Sequence, residues 1–191
     1  MSTRMFLAAG LAAGALALLF SPEASAESVI KQPNRHPEYR AELEPHLDIL
    51  PWHREYGGGR YYGGGFGNVE FGAGFRASIE VGDPAFIPKI NNTVAITFGV
   101  DFTNNNCGGC YGDSFSFWSP IALQWNFFLT DKWSVFGEGG FMLRSYGFFD
   151  HTFGDFTFAA GGRFHFSDKV ALTMRVGYPF VSVGVSFFVG H

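Results

Sequence analysis

Charged residues are scarce in this 191-residue chain, in which Asp, Glu, Lys and Arg make up only 16% of the sequence. Water-soluble domains usually carry about 25% charged residues. The net charge is -4 and no basic stripe appears, which argues against nucleic acid as a partner. Aromatic residues, by contrast, reach 18%, and 24 residues are Phe. The length supports one domain, and the composition favours a fold with one face in lipid and one polar face.

Long hydrophobic runs are also missing, apart from one at the N-terminus. Arg4 precedes an apolar run over residues 5–20, and a small-residue cleavage site, Ala-Ser-Ala, ends at Ala26. This order is typical of a secretory signal peptide. We therefore predict a cleaved signal peptide over residues 1–26 and a mature chain that starts at Glu27. An uncleaved membrane anchor is the alternative, although the run is shorter than the about 20 residues that a span needs.

Cysteine occurs only twice, as Cys107 and Cys110. In an exported protein this CxxC pair predicts a local disulfide that ties a loop. A redox-active pair would need a helix N-terminus or positive neighbours to activate a thiol, and the neighbours here are Gly and Asn. Two sulfurs without a nearby His also make an incomplete zinc site. The sequence therefore predicts neither a metal site nor a cofactor.

The hydrophobic pattern has a period of two from residue 66 onward, which indicates β-strands. Seven alternating stretches follow one another, and an eighth lies upstream. The predicted strands cover residues 38–49, 69–81, 93–102, 115–129, 133–144, 156–166, 170–178 and 181–187. Eight antiparallel strands form the smallest outer-membrane β-barrel. We expect a β-bulge at Pro45 and at Pro120, because proline cannot donate a ladder hydrogen bond.

The connections between these stretches alternate in length. Residues 130–132 and 167–169 predict tight turns. The longer connections are rich in Gly, Tyr and Asn and lie at residues 53–65, 104–114 and 145–155. Short periplasmic turns and longer external loops are typical of outer-membrane barrels. We therefore predict a periplasmic tail over residues 27–36 and a barrel over residues 37–191, with residues 82–92 as an unusually long periplasmic turn.

Alternation alone leaves open which face lies inside the barrel. A soluble lipocalin-like barrel would enclose the Phe and Val side chains. Lysine, however, is missing from every predicted strand, and aromatic residues collect near strand ends, as the girdles of membrane barrels do. Arg forms bidentate carboxylate pairs in confined space better than Lys does. We therefore predict an apolar exterior and a structural network of ion pairs in the lumen. Its predicted members are Arg40, Glu42, Glu44, Glu70, Arg76, Glu80, Asp101, Glu138, Arg144, Arg163 and Arg175.

The end of the chain carries a recognisable pattern. Ser182-x-Gly184-x-x-Phe187-x-Val189 resembles the C-terminal signal by which barrel-assembly machinery recognises its substrates, although two further residues follow here. Residues 36–189 resemble the small outer-membrane barrel superfamily that includes the OmpA transmembrane domain, OmpX and OmpW. The segments RHPEYRAELEPHLDIL, FIPKINNTVAITFGVDF and SPIALQWNFFLTDKWSVFGEGG are similar to an uncharacterised group of such barrels in Gram-negative bacteria. The resemblance implies an eight-stranded antiparallel up-and-down transmembrane barrel in the bacterial outer membrane, with no assigned reaction.

The expected function follows from that architecture. Eight strands leave an interior just wide enough for side chains. We expect a non-enzymatic outer-membrane protein, either structural or porin-like with a narrow path, whose partners are outer-membrane lipid, the assembly machinery during biogenesis and an unknown partner of the external loops. One alternative is a rim enzyme acting on lipid or peptide, which would use Asp150, His151, Asp113 and Ser114. The other is a soluble periplasmic barrel that binds an apolar ligand.

Overall fold

The computed structural model describes residues 27–50, 56–57, 60–61, 70–83, 86–104, 115–146 and 151–190. The barrel strands are β1 (Ala41–Leu50), β2 (Glu70–Gly82), β3 (Asn92–Asn104), β4 (Phe115–Phe128), β5 (Trp133–Tyr146), β6 (His151–Ser167), β7 (Val170–Tyr178) and β8 (Val181–Val189). Each strand pairs antiparallel with the next, and β8 pairs with β1, so the sheet closes. A separate hairpin pairs two strands of two residues each, Tyr56–Gly57 and Arg60–Tyr61. Within the described residues, no helix has the length and apolar character to cross a membrane.

The eight predicted strands are confirmed, but the bulges expected at the two prolines are wrong. The ladder runs in register through Pro45 on the β2 side and through Pro120 on the β5 side. Pairs are missing only toward β8 and toward β3, respectively. The backbone N and O atoms of a strand residue point to one neighbour only, so each proline interrupts one ladder and leaves the other intact. The register shifts occur instead near two strand ends, between Glu80 and Gly82 and between His165 and Ser167.

The connection between β5 and β6 is shorter than the predicted loop over residues 145–155. Tyr146 pairs with His151, which leaves only residues 147–150 between the two strands. Thr and Phe residues follow His151 directly, and both residue types favour strands. Backbone pairing therefore continues through a stretch whose composition had indicated a loop, and His151 begins a strand.

The outward face of the barrel is apolar and the inward face is polar, as predicted. Phe141 on β5 is 73% exposed and Leu47 on β1 is 69% exposed. The inward positions are buried and hold Arg, Glu, Asp, Asn, Ser and Thr side chains. An apolar ligand cavity would need the opposite arrangement.

The ladder pairs also fix the width of the lumen. A path that starts at Arg163 and moves from each residue to its ladder partner on the next strand returns to β6 at Phe153. The stagger of the barrel is therefore ten residues. Strand number and stagger together set the barrel radius, and for eight strands the interior is of a size that side chains fill.

Apolar clusters occupy both ends of the lumen. At the N-terminal end, which carries residues 27–40, the cluster consists of Val29, Tyr39, Phe128, Ala171 and Phe188. At the opposite end, called the loop end, it consists of Leu50, Trp118, Met142 and Phe180. Backbone hydrogen bonds from Val29 to Leu129 and from Asn91 to Ile30 hold the N-terminal segment against the barrel. Burial, reinforced by the charge of Glu42, raises the pKa of the Tyr39 phenol above its ordinary range. The predicted tail is thus packed across one end of the lumen.

Candidate functional site

The lumen contains a buried network of arginines and carboxylates. Its first part links β6 to β1: Arg163 donates from Nε to Glu42 Oε1 at 2.8 Å and from Nη2 to Oε2 at 2.7 Å. The third donor, Nη1, reaches Asn126 Oδ1 at 2.9 Å. Ser186 Oγ also donates to Glu42 Oε1, at 2.6 Å. Two parallel charge-assisted bonds fix both planar groups, so this pair is a rigid cross-link through the lumen.

The second part of the network is centred on Arg175 of β7. Its Nη1 lies 2.8 Å from Glu44 Oε1, and its Nη2 lies 3.1 Å from Glu138 Oε1. On the opposite side, Arg76 Nη1 lies 3.6 Å from Glu138 Oε2 and Arg76 Nη2 lies 3.4 Å from Asp101 Oδ2. Glu138 therefore bridges two arginines, and the chain of contacts joins β1, β7, β5, β2 and β3.

Aromatic rings lie beside the cationic groups. The Arg163 guanidinium carbon lies 4.2 Å from the centre of the Phe136 ring, and that of Arg175 lies 5.2 Å from the same ring. Nearer the loop end, Arg144 lies 4.0 Å over the Trp118 ring. Such cation–π contacts gain strength where water is excluded.

The structure brings seven of the predicted network members into ion pairs with one another, and these are Glu42, Glu44, Arg76, Asp101, Glu138, Arg163 and Arg175. Arg144 is buried against Trp118. Glu80 is half-buried and forms no ion pair with an arginine within the described part of the chain. The side chain of Glu70 lies outside the described residues.

Arg40 requires a correction, because it is exposed and does not enter the lumen. The period-two pattern of β1 places residues 42, 44, 46 and 48 inside, and its extrapolation would place residue 40 there too. The chain instead turns before β1, so that Tyr39 enters the apolar cluster at the N-terminal end and Arg40 faces outward.

The sequence prediction missed a third feature of the lumen, a buried cluster of His46, Asp48 and Asp101. His46 Nε2 lies 2.7 Å from Asp101 Oδ1 and 3.5 Å from Asp48 Oδ1. The alternation of β1 indicates that His46 and Asp48 share a face. No local pattern shows that Asp101, two strands away, lies opposite them.

One Ser–His contact in the described part of the lumen bears on the enzyme alternative. Ser134 Oγ and His165 Nε2 lie 2.9 Å apart. The other ring nitrogen, His165 Nδ1, is buried and has no hydrogen-bond partner in the described structure. A catalytic base needs a third group to orient it, and both side chains are buried beside the apolar cluster of the N-terminal end. This contact therefore has the spacing of a nucleophile and its base but no orienting group among the described residues.

The other residues singled out from the sequence are placed differently. Cys107, Cys110, Asp113, Ser114 and Asp150 lie outside the described residues, as does the side chain of His151. The disulfide and the rim site therefore stay predictions.

A scan against protein-family models and a search of curated proteins both found no match. The structure shows a closed eight-stranded antiparallel β-barrel with a charged interior that contains buried ion pairs.

Proposed function

We propose that the protein is a non-enzymatic β-barrel of the bacterial outer membrane that is closed to solutes and presents its external loops to partners. The observation that carries the proposal is the combination of an apolar exterior with an interior cross-linked by buried ion pairs.

The exterior supports a location in lipid. Every strand of the barrel carries at least one large apolar side chain that is more than 40% exposed. These residues include Leu47, Phe71, Phe98, Ile121, Phe141, Phe156, Val176 and Val183. Soluble monomers rarely expose a contiguous apolar patch larger than a few hundred Å². A closed sheet leaves no unpaired edge, and that is the form in which strands can cross a bilayer.

The interior favours a structural role over a porin-like one. The Arg76–Glu138 contact joins β2 to β5, and the Arg163–Glu42 contact joins β6 to β1. An ion that moved along the lumen would have to separate such pairs, and a buried charge that loses its partner is strongly unfavourable. Apolar clusters at both ends add a further barrier to hydrated ions.

In a closed barrel that lies in lipid, the external loops are the surface that partners can reach. The segment HREYGGGRYYGGGF combines Tyr and Arg with Gly, a composition found in adaptable binding surfaces. Deletion of residues 57–65 should leave barrel assembly unchanged and lower the adhesion of expressing cells to a surface. If cells that express the deletion variant adhered as well as cells that express the wild type, this loop would have no part in recognition.

Conductance across planar bilayers tests closure directly. Wild-type protein refolded into a bilayer should give no current steps above the background of the bilayer. Arg175→Ala removes the donor to Glu44 and Glu138, and it should produce measurable steps in a barrel that remains folded. Arg35→Ala is the control, because this exposed arginine lies outside the lumen. Regular current steps from the wild type would contradict closure and establish the porin-like alternative.

A further inference from the structure

The cluster of His46, Asp48 and Asp101 has the donor atoms of a metal site. One donor atom from each residue can be chosen such that all lie within 4.8 Å of one another. All three side chains are fully buried. His46 and Asp48 come from β1, whereas Asp101 comes from β3. An imidazole nitrogen and two carboxylates form a donor set that divalent transition metals such as Zn²⁺ bind in proteins.

A backbone contact fixes the orientation of the imidazole. His46 Nδ1 lies 3.1 Å from the carbonyl oxygen of Glu44. A carbonyl oxygen only accepts, so Nδ1 carries the hydrogen and donates it. Metal-binding histidines commonly use such a bond to direct the other ring nitrogen at the metal. Nε2 of His46 is thereby directed toward the two carboxylates.

A protonated imidazole would donate a hydrogen bond to only one of the two carboxylates. Its single Nε2–H would donate to Asp101 Oδ1, at 2.7 Å. Both oxygens of Asp48 would stay without a hydrogen bond, as they are in the described structure. A buried carboxylate without a hydrogen-bonding partner is strongly unfavourable. A metal ion bound to Nε2 would contact both carboxylates, so it accounts for Asp48 where a proton on Nε2 does not.

One glycine of β2, the strand between β1 and β3, makes room for this cluster. In the ladder, Gly74 of β2 pairs with His46 on one side and with Asp101 on the other. A Cβ atom at Gly74 would lie 2.6 Å from His46 Nε2 and closer still to Asp101 Oδ1. Any other residue at position 74 would therefore push the donor atoms apart.

The local charge balance also favours a cation. Asp48 and Asp101 add two carboxylates to this part of the lumen, and the arginine that pairs with Asp101 in the described structure, Arg76, also contacts Glu138. Arg76 Nη2 lies 3.4 Å from Asp101 Oδ2, so Oδ1 is the oxygen that faces His46. Around His46, the contacts in the described structure thus join four carboxylates (Glu44, Asp48, Asp101 and Glu138) to two arginines (Arg76 and Arg175).

We propose that His46, Asp48 and Asp101 bind one divalent transition metal ion, with Zn²⁺ as the representative ion, inside the barrel lumen. Zn–N and Zn–O bonds are about 2.0–2.2 Å long and the ion is tetrahedral, so two of its ligand atoms lie about 3.4 Å apart. His46 Nε2 and Asp101 Oδ1 must therefore separate from their hydrogen-bond distance of 2.7 Å when the ion replaces the proton between them, and Asp48 must turn toward the ion. Asp48 can make this movement because no hydrogen bond restrains it. The three side chains are buried, so the ion enters as the barrel folds. Calcium does not fit, because it takes six to eight oxygen ligands.

The test is to refold the full mature chain in detergent with Zn²⁺ or with a chelator, remove unbound metal and measure zinc by atomic emission. The wild type refolded with Zn²⁺ should retain about one equivalent, and an excess of Ca²⁺ should not displace it. Asp48→Asn keeps the shape of a side chain that makes no hydrogen bond, and it should lower zinc affinity by more than about tenfold, as should His46→Gln. Co²⁺ in place of Zn²⁺ should give a visible absorption spectrum that both variants lose.

Two control variants locate the site. Asp155→Asn is the same chemical change at an aspartate that binds Tyr178 instead of the cluster, and it should retain zinc. A double variant, Cys107→Ser with Cys110→Ser, should also retain zinc, which separates the cluster from the cysteine pair. Folding of each variant is checked by its heat-dependent mobility on gels. Wild-type protein without stoichiometric zinc would overturn the proposal, and so would a folded Asp48→Asn variant that binds zinc as tightly as the wild type.

Discussion

The pair formed by Glu42 and Arg163 provides the sharpest test of the lumen network. Glu42→Ala would leave a guanidinium that is only 1% exposed without its carboxylate. Removal of one partner from a buried ion pair costs about 3–5 kcal/mol. Arg163 would keep its bond to Asn126 and its contact with Phe136. We therefore expect a loss of about 3 kcal/mol in the free energy of unfolding, the lower end of that range.

A double variant tests whether the loss of stability comes from the buried charge that is left without a partner. Glu42→Leu combined with Arg163→Met replaces both charged groups with apolar side chains of similar size, a change that is often neutral or stabilising for a buried pair. The double variant should therefore be more stable than Glu42→Ala. Arg35→Ala is the control at the surface, where Arg35 and Asp131 lie 3.6 Å apart with side chains 46% and 60% exposed. Exposed pairs contribute at most about 1 kcal/mol.

The assay is urea unfolding of the refolded protein in lipid vesicles, followed by tryptophan fluorescence. Unfolding and refolding curves must coincide for the free energies to be compared. If Glu42→Ala cost no more than Arg35→Ala, the pair would not be a buried cross-link. If the double variant were no more stable than Glu42→Ala, the lost stability would not come from a buried charge without its partner.

Two further predictions concern the strand β5. Gly140→Ala should destabilise the barrel by about 1–3 kcal/mol in the same assay, because the added Cβ would lie 2.5 Å from Ala122 Cα. Gly137→Ala should be neutral, because a Cβ at that position meets nothing within 4 Å. Equal effects at the two glycines would show that backbone flexibility, and not space, determines the result. Phe141→Arg should lower stability in vesicles by about 2–4 kcal/mol and reduce membrane assembly, because an arginine in mid-membrane is costly on the lipid face of a barrel; Phe141→Leu is the apolar control. Unchanged assembly of the Phe141→Arg variant would place this face in water.

The strands and their two faces could be predicted from the sequence because both follow from a period of two, which is a local property. Phe141 and Leu47 are exposed and Glu42 and Arg163 are buried, in agreement with that pattern. The same local rule fails at Arg40, where the N-terminal segment turns and the alternation is broken.

The contacts across the lumen could not be predicted, because they depend on the stagger of the closed sheet. The stagger determines which residue of one strand lies level with which residue of the next, and it has no signal in any single strand. Asp101 reaches His46 only because the pairing brings Gly74 between them. The loop expected over residues 145–155 was too long for a related reason, since strand pairing outweighs the composition of residues 145–146 and 151–155.

We propose that the apolar exterior lies in the outer membrane around a closed barrel. The most direct measurement is to fractionate expressing Gram-negative cells and run the outer-membrane fraction on SDS gels with and without boiling. We predict recovery of the protein in the outer membrane with a mobility that changes on heating, as expected of a barrel that stays folded in the detergent until it is boiled. Recovery as a soluble periplasmic protein whose mobility does not depend on heating would contradict the account.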